Sequence, residues 1–101
     1  MMNLTSRQRA YLKGLAMNID PIFQIGKSSL TPELTQAVSE ALEAREIIKI
    51  SILKNCADEG NTLAQMLAER THSTVVQVIG RKIVLYKPAK EERKRKIVLP
   101  N

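Results

Sequence analysis

Two periods of hydrophobic residues divide the chain. Leu34, Ala37, Val38, Ala41 and Leu42 recur at i, i+3, i+4, i+7 and i+8, which predicts an amphipathic helix from about Pro32 to Arg45. Thr31 is a favoured N-cap for it, and Pro32 at the first helical position loses no hydrogen bond. From Ile47 to Leu53 the period drops to two. Ile48, Ile50 and Ile52 then point to one side, and Ile47, Lys49, Ser51 and Leu53 to the other, as in a strand. Two further β-rich runs, Thr74 to Ile79 and Ile83 to Lys87, flank Gly80-Arg81-Lys82. Glycine followed by any residue marks a tight hairpin turn, so Arg81 and Lys82 are expected at an exposed tip.

The remaining pattern is shorter. Thr5-Ser6-Arg7-Gln8 fits a capping box, and the helix it opens would turn Leu4, Tyr11, Leu12 and Leu15 inward, with Arg9 and Lys13 on another face. Gly14 in its last turn either weakens the helix or admits a close neighbour. Pro21 to Ile25 reads as a short interior strand. Leu63, Met66 and Leu67 predict a third helix from about Thr62 to Thr71, capped by Asp58 or Asn61. The order helix, strand, helix, strand, helix, strand, strand gives an α/β fold: a compact single domain with a four-stranded mixed sheet packed with helices. The first strand–helix–strand unit should be a right-handed crossover, and the final hairpin the antiparallel part. Residues 1–88 form the expected domain, and 89–101 a basic tail, disordered or loosely helical on its own.

Charge sharpens this picture. The chain of 101 residues carries a formal charge of +6 and an isoelectric point of about 9.8. Residues 1–30 hold four basic and one acidic side chain, residues 31–75 four and seven, and residues 76–101 eight and two. Basic ends around a mildly acidic middle favour a polyanionic partner. Aromatic side chains are few, namely Tyr11, Phe23 and Tyr86, whereas proteins that stack unpaired bases use several exposed rings. Recognition of backbone and folded shape is therefore expected, which points to structured RNA. The lone Cys56 excludes an internal disulfide and suits a reducing compartment. No signal-peptide core appears between Met1 and Leu12, and no apolar run reaches membrane-span length, so a cytoplasmic location is expected.

The stretch Phe23 to Pro32 concentrates candidate chemistry. A buried strand would lead through Gly26-Lys27-Ser28-Ser29 into a capped helix, gathering backbone N–H groups, hydroxyls, an ammonium and the positive end of a helix dipole. Its natural ligand is an anion, and a phosphate is expected; an ordinary turn without ligand is the alternative. A P-loop is rejected, because the position that needs its first glycine is Pro21. Cys56 and His72 lack a third group to orient a nucleophile, metal-ligand spacing is absent, and Asp58-Glu59 and Glu91-Glu92 read as a helix start and a solvated tail. No enzyme, cofactor, metal or small-molecule substrate is expected.

Several separated blocks resemble one family. Leu12-Lys13-Gly14-Leu15-Ala16, the segment Pro21 through Gly26-Lys27-Ser28-Ser29-Leu30-Thr31, the long second helix, and the hairpin from Val76 to Tyr86 resemble the CRM domain, most closely its single-domain bacterial YhbY members. The resemblance implies a fold similar to the C-terminal domain of bacterial translation initiation factor three. It also implies RNA binding, association with precursors of the large ribosomal subunit in bacteria, and intron splicing in plant relatives. The family's Gly-x-x-Gly loop maps onto Gly26, Lys27, Ser28 and Ser29. Serine replaces the second glycine, at a cost of about 1 kcal/mol or more if that residue is left-handed; a right-handed conformation would avoid the cost.

The expected RNA-contacting set is thus Arg7, Arg9, Lys13, Gly26, Lys27, Ser28, Ser29, Arg81, Lys82 and Lys87, with the tail adding attraction. Ribosomal RNA or a large-subunit precursor is the expected partner. The competing reading is a protein-interaction module that docks an assembly or translation factor, with RNA contact incidental. A membrane surface is a poorer partner, since Lys90 to Lys96 has no large apolar face.

Overall fold

The computed structural model describes residues 2–101, so Met1 of the expected domain lies outside it. Helix α1 (Ser6–Ala16) is followed by β1 (Phe23–Ile25), α2 (Pro32–Arg45), β2 (Ile47–Ile52), α3 (Gly60–Thr71), β3 (Thr74–Ile79) and β4 (Lys82–Tyr86), with a 3-10 turn at Glu92–Lys94. The strands lie in the order β1-β2-β4-β3. β1 runs parallel to β2, and β4 is antiparallel to both β2 and β3. The α/β architecture and its four-stranded mixed sheet are those the sequence pattern predicts.

The alternation in β2 sorts its side chains between two cores. Ile48, Ile50 and Ile52 join Ile25, Ile83 and Leu85 beneath α2 and α3, meeting Val38, Leu42, Leu63 and Leu67. Ile47 faces the other way and packs with Val76, Val84 and Tyr86 against Leu12 and Ala16 of α1. The result is three layers, with a pair of helices on one face of the sheet and α1 on the other.

Caps account for most element boundaries. The Thr5–Gln8 capping box forms in full, and the Thr31 hydroxyl accepts the Leu34 N–H at 3.1 Å. The third helix starts earlier than expected, at Gly60. Neither Asp58 nor Asn61 caps it; the Glu59 carboxylate does, accepting the N–H groups of Asn61 and Thr62 at 3.1 and 3.0 Å. A side chain on Gly60 would press on Val78 and Ile52 at 3.2–3.3 Å, so glycine lets this helix start close to the sheet. Its inward stripe is Leu63, Ala64, Leu67, Ala68 and Thr71, which turns Met66 outward at 37% exposure. Tyr11, expected inside, is 43% exposed because Leu12 and Ala16 centre the stripe of α1. β1 is shorter than Pro21 to Ile25, although the Ile22 N–H still reaches the Lys49 carbonyl at 3.0 Å. Gly80 carries φ +56, the conformation that a two-residue hairpin loop requires at its first position, and Lys82 is already in β4.

The tail departs most from expectation. The tail first passes the end of α2, where Ala89, Lys90, Glu91 and Lys94 line a groove with Leu42 and Glu43, and then reaches the α1 face, where Ile97 and Leu99 pack against its core. The buried Glu46 carboxylate receives three tail amides: Ala89 at 2.9 Å, Lys96 at 2.6 Å and Ile97 at 3.1 Å. Lys96 Nζ caps the Ala44 carbonyl at 3.0 Å, and Gln8 Nε2 donates to Pro100 O at 3.1 Å. Basic composition suggested disorder, but one inward carboxylate converts the tail's backbone into ordered structure. Burial of Tyr86, followed by the nearby charge of Glu46, raises its hydroxyl above the usual tyrosine pKa.

Candidate functional site

Three chain segments meet at the end of the sheet where β1 and β2 finish. Parallel pairing obliges the two strands to end on the same side, and β4 begins there because it is antiparallel to β2. The first segment is the Gly26–Ser29 turn. β1 leaves the ladder after the Leu53 N–H bonds the Ile25 carbonyl at 2.8 Å, and the turn closes through Ser29 N–H to Gly26 O at 3.0 Å. Lys27 and Ser28 occupy its corners and are exposed. Their N–H groups meet no acceptor among the described residues. Ser29 has φ +55, a left-handed conformation that glycine would adopt without the cost a side chain brings. A Cβ on Gly26 would make only ordinary contacts, at 3.5 Å, with the Asn55 and Leu53 side chains.

Downstream of the turn, the dipole of α2 is largely answered from within. Thr31 takes the Leu34 amide, and Glu33 places a carboxylate in the first turn. The attraction for an anion therefore resides in the Lys27–Ser28 corner and the surrounding cations more than in the helix end.

The second segment is the turn after β2, closed by Cys56 N–H to Leu53 O at 3.1 Å. It presents an exposed Lys54 and sets the Asn55 amide beside Gly26. The third is the hairpin tip. Arg81 is lashed to the end of β2, its carbonyl accepting the Ile52 N–H at 2.7 Å and its Nη1 donating to Leu53 O at 3.2 Å. Lys82 pairs with Ser51 across the strands, and its Nζ bonds Ser51 Oγ at 3.2 Å. Lys27, Lys54, Arg81 and Lys82 thus crown three adjacent strands within about two strand spacings, roughly 10 Å. Lys54 and Asn55 were absent from the sequence-based set. The signal that could have found them was the crossover itself, which sends the residues after both parallel strands to one edge.

The other expected residues lie elsewhere. Arg7 and Lys13 are exposed on α1, on the opposite face from α2 and α3. Arg9 is occupied: its Nη1 donates to Val75 O at 2.8 Å and Val76 O at 2.7 Å, where the β3 register slips by one residue. Lys87 follows β4 at the far end of the sheet and donates to Thr71 O at 3.2 Å, near the C-terminus of α3. Of the ten residues, Gly26, Lys27, Ser28, Ser29, Arg81 and Lys82 are brought together; the other four are not.

Two carboxylates follow the turn after β2: Asp58 lines a shallow pocket with Arg81, and Glu59 is occupied as the cap of α3. Hydrogen bonds from the Asn61 and then the Thr62 backbone hold Glu59 below the usual carboxylate pKa. Cys56 and His72 sit at opposite ends of α3, about 18 Å of helix apart. Among the described residues no cluster of three or more His, Cys, Asp or Glu side chains could hold a metal. No described helix is long and apolar enough to cross a membrane.

The chain is similar to known proteins along most of its length. The family model of the CRS1 / YhbY (CRM) domain matches residues 4–87. The chain is 43% identical over 90 residues to a Bacillus subtilis (strain 168) protein named "Probable RNA-binding protein YqeI", covering 89% of this chain and 94% of that one. A Haemophilus influenzae protein named "RNA-binding protein" is 31% identical over 100 residues, which span 99% and 98% of the two chains. The solution structure of the hypothetical protein SAV1595 from Staphylococcus aureus superposes with a TM-score of 0.80 at 46% identity, covering 97% of this chain and all of that one.

Proposed function

This chain belongs to the CRS1/YhbY (CRM) domain family, and from that premise we propose that it binds structured RNA through the crowned end of its sheet. The observation that carries the reading is the convergence of Lys27, Lys54, Arg81 and Lys82 around a turn whose two corner amides meet no acceptor among the described residues. A phosphate seated over the turn would take N–H donation from Lys27 and Ser28, and the Lys27 ammonium would neutralise it. The next phosphates along the strand would meet Arg81 and Lys54. Charge-assisted bonds of this kind fix position and orientation without reading base sequence. Arg7 and Lys13 on α1, Lys87 and the basic tail add long-range attraction.

The partner proposed is ribosomal RNA in a precursor of the large subunit, bound in the cytoplasm, with the protein acting as an assembly factor and catalysing no reaction. The relatives named as RNA-binding proteins support RNA as the ligand class. The test is binding of large-subunit ribosomal RNA fragments across a salt series by wild type, Lys27→Ala and Arg81→Ala. Each lost phosphate contact should lower the slope of log K against log salt by about one. Identical binding of both variants at every salt concentration would remove the crown as the site. Cell extract fractionated on a sucrose gradient should carry the protein with large-subunit precursors; its confinement to the top fractions would sink the assembly role.

A further inference from the structure

We infer that the half of the sheet left open beside α1 is a second RNA-contacting surface, one that takes the strand leaving the Gly26–Ser29 turn; this rests on the RNA reading above. Helix α1 and the tail cover that face only where Ile47, Val76, Val84 and Tyr86 lie. Toward the crowned end the same face carries Gln24, Ser51, Lys82 and Ile79 in one cross-strand row; in the row below, at the edge of the covered area, Lys49 and Gln77 flank the buried Val84. Gln24 is exposed and Ile79 is 60% exposed, while Lys49, Ser51, Gln77 and Lys82 are half-buried. A solvated face on a mixed sheet is common, so exposure alone decides nothing.

Charge makes the difference. Lys49 is the one charged residue in Ile-Ile-Lys-Ile-Ser-Ile, a central strand where lysine is a poor fit. It stands diagonally from Lys82, at a typical separation of about 7–8 Å. Neither row contains a carboxylate, and the ion pairs formed among the described residues lie in the tail, from Glu91 to Arg93 and Lys94. Two ammonium groups without counter-charge therefore flank hydroxyl and amide groups, on a surface continuous with the crown. Phosphates suit the lysines, and 2′-hydroxyls or base edges suit Gln24, Ser51 and Gln77. No aromatic ring belongs to either row, so the surface would hold a strand by its backbone and hydroxyls and not by stacking.

The experiment is an amide-shift titration of the full chain with a stem-loop RNA bearing a single-stranded flank, alongside salt-series binding by Lys49→Gln. The expected result is that Gln24, Lys49, Ser51 and Gln77 shift together with Lys27 and Ser28, and that Lys49→Gln keeps its thermal midpoint while its salt slope falls by about one. Shifts confined to Lys27 and Ser28, or wild-type binding by Lys49→Gln, would overturn the inference and leave the RNA reading standing. No shifts anywhere would overturn both, and shifts in the sheet rows alone would overturn the proposed path, since no strand would then leave the turn. Polyglutamate that displaces the RNA and moves the same row amides equally would reassign the surface to an acidic protein partner.

Discussion

The Ser29 N–H closes a turn onto the Gly26 carbonyl at 3.0 Å while Ser29 itself sits at φ +55. A side chain there clashes with the adjacent carbonyl, and the penalty is about 1 kcal/mol or more. Ser29→Gly should therefore stabilise the protein by about 0.5–1 kcal/mol, the relief being partly offset by the looser unfolded chain. Urea denaturation measures it. The turn keeps its shape in that variant, so RNA affinity should change by less than about two-fold. A fall in stability would mean that the Ser29 hydroxyl holds the turn in a way its backbone geometry does not reveal.

Glu46 joins the tail to the body. It is 2% exposed, has φ +67 and accepts three tail amides. Glu46→Ala should cost about 1–3 kcal/mol through donors left without acceptors, and limited trypsin digestion should then cut rapidly within Arg93 to Lys96. Glu46→Gly loses the same acceptor but relieves the backbone, so it should free the tail equally and destabilise the whole less. Unchanged cleavage in both variants would show that Ile97 and Leu99 hold the tail unaided.

The periodic elements were legible because each is determined by its own residues. The spacing of Leu34 to Leu42 and the alternation of Ile47 to Ile52 reach the same answer locally and in the fold. The tail was not legible, since its order depends on a glutamate some fifty positions away. Arg9 and Lys87 read as free surface charges for the same reason: the carbonyls that occupy them belong to distant segments. Within the site, the turn residues were visible as a motif, whereas Lys54 and Asn55 acquire meaning only from the parallel pairing of β1 with β2.

The Glu59 cap predicts a pH dependence. Its carboxylate is held below the ordinary pKa by the Asn61 and Thr62 amides, so the folded state favours the charged form. The stabilisation is present above the unfolded glutamate's pKa and disappears as pH falls through the lower folded value. Thermal midpoints of wild type and Glu59→Gln should differ at neutral pH and converge in acid. A gap that stays constant to strongly acidic pH would assign the cap's effect to geometry and not to charge.

Gly14 lies in the last turn of α1 with nothing within 4 Å of where a Cβ would stand. Gly14→Ala should add about 0.5–1 kcal/mol by reducing the entropy of the unfolded chain, raising the midpoint by roughly 2–8 °C. The same variant reports on ligand approach. Unchanged RNA binding leaves the glycine as a local weakness, while a loss of affinity with the gain in stability intact would show that RNA passes close to the helix backbone there.

Arg7 and Arg9 are two positions apart on α1 but differ in what they meet. Arg9 bonds the Val75 and Val76 carbonyls at the irregularity of edge strand β3, whereas Arg7 is exposed and makes no hydrogen bond among the described residues. Hydrogen bonds to a charged group contribute about 1.5–3 kcal/mol when the partners would otherwise be stranded. Arg9→Ala should therefore lower stability by about that amount, with a small effect on the salt slope of RNA binding. Arg7→Ala should do the reverse, leaving the denaturation midpoint unchanged and reducing the slope by up to about one. The opposite pattern would return Arg9 to the RNA-contacting set and show that the β3 bulge is held by its own backbone pairing.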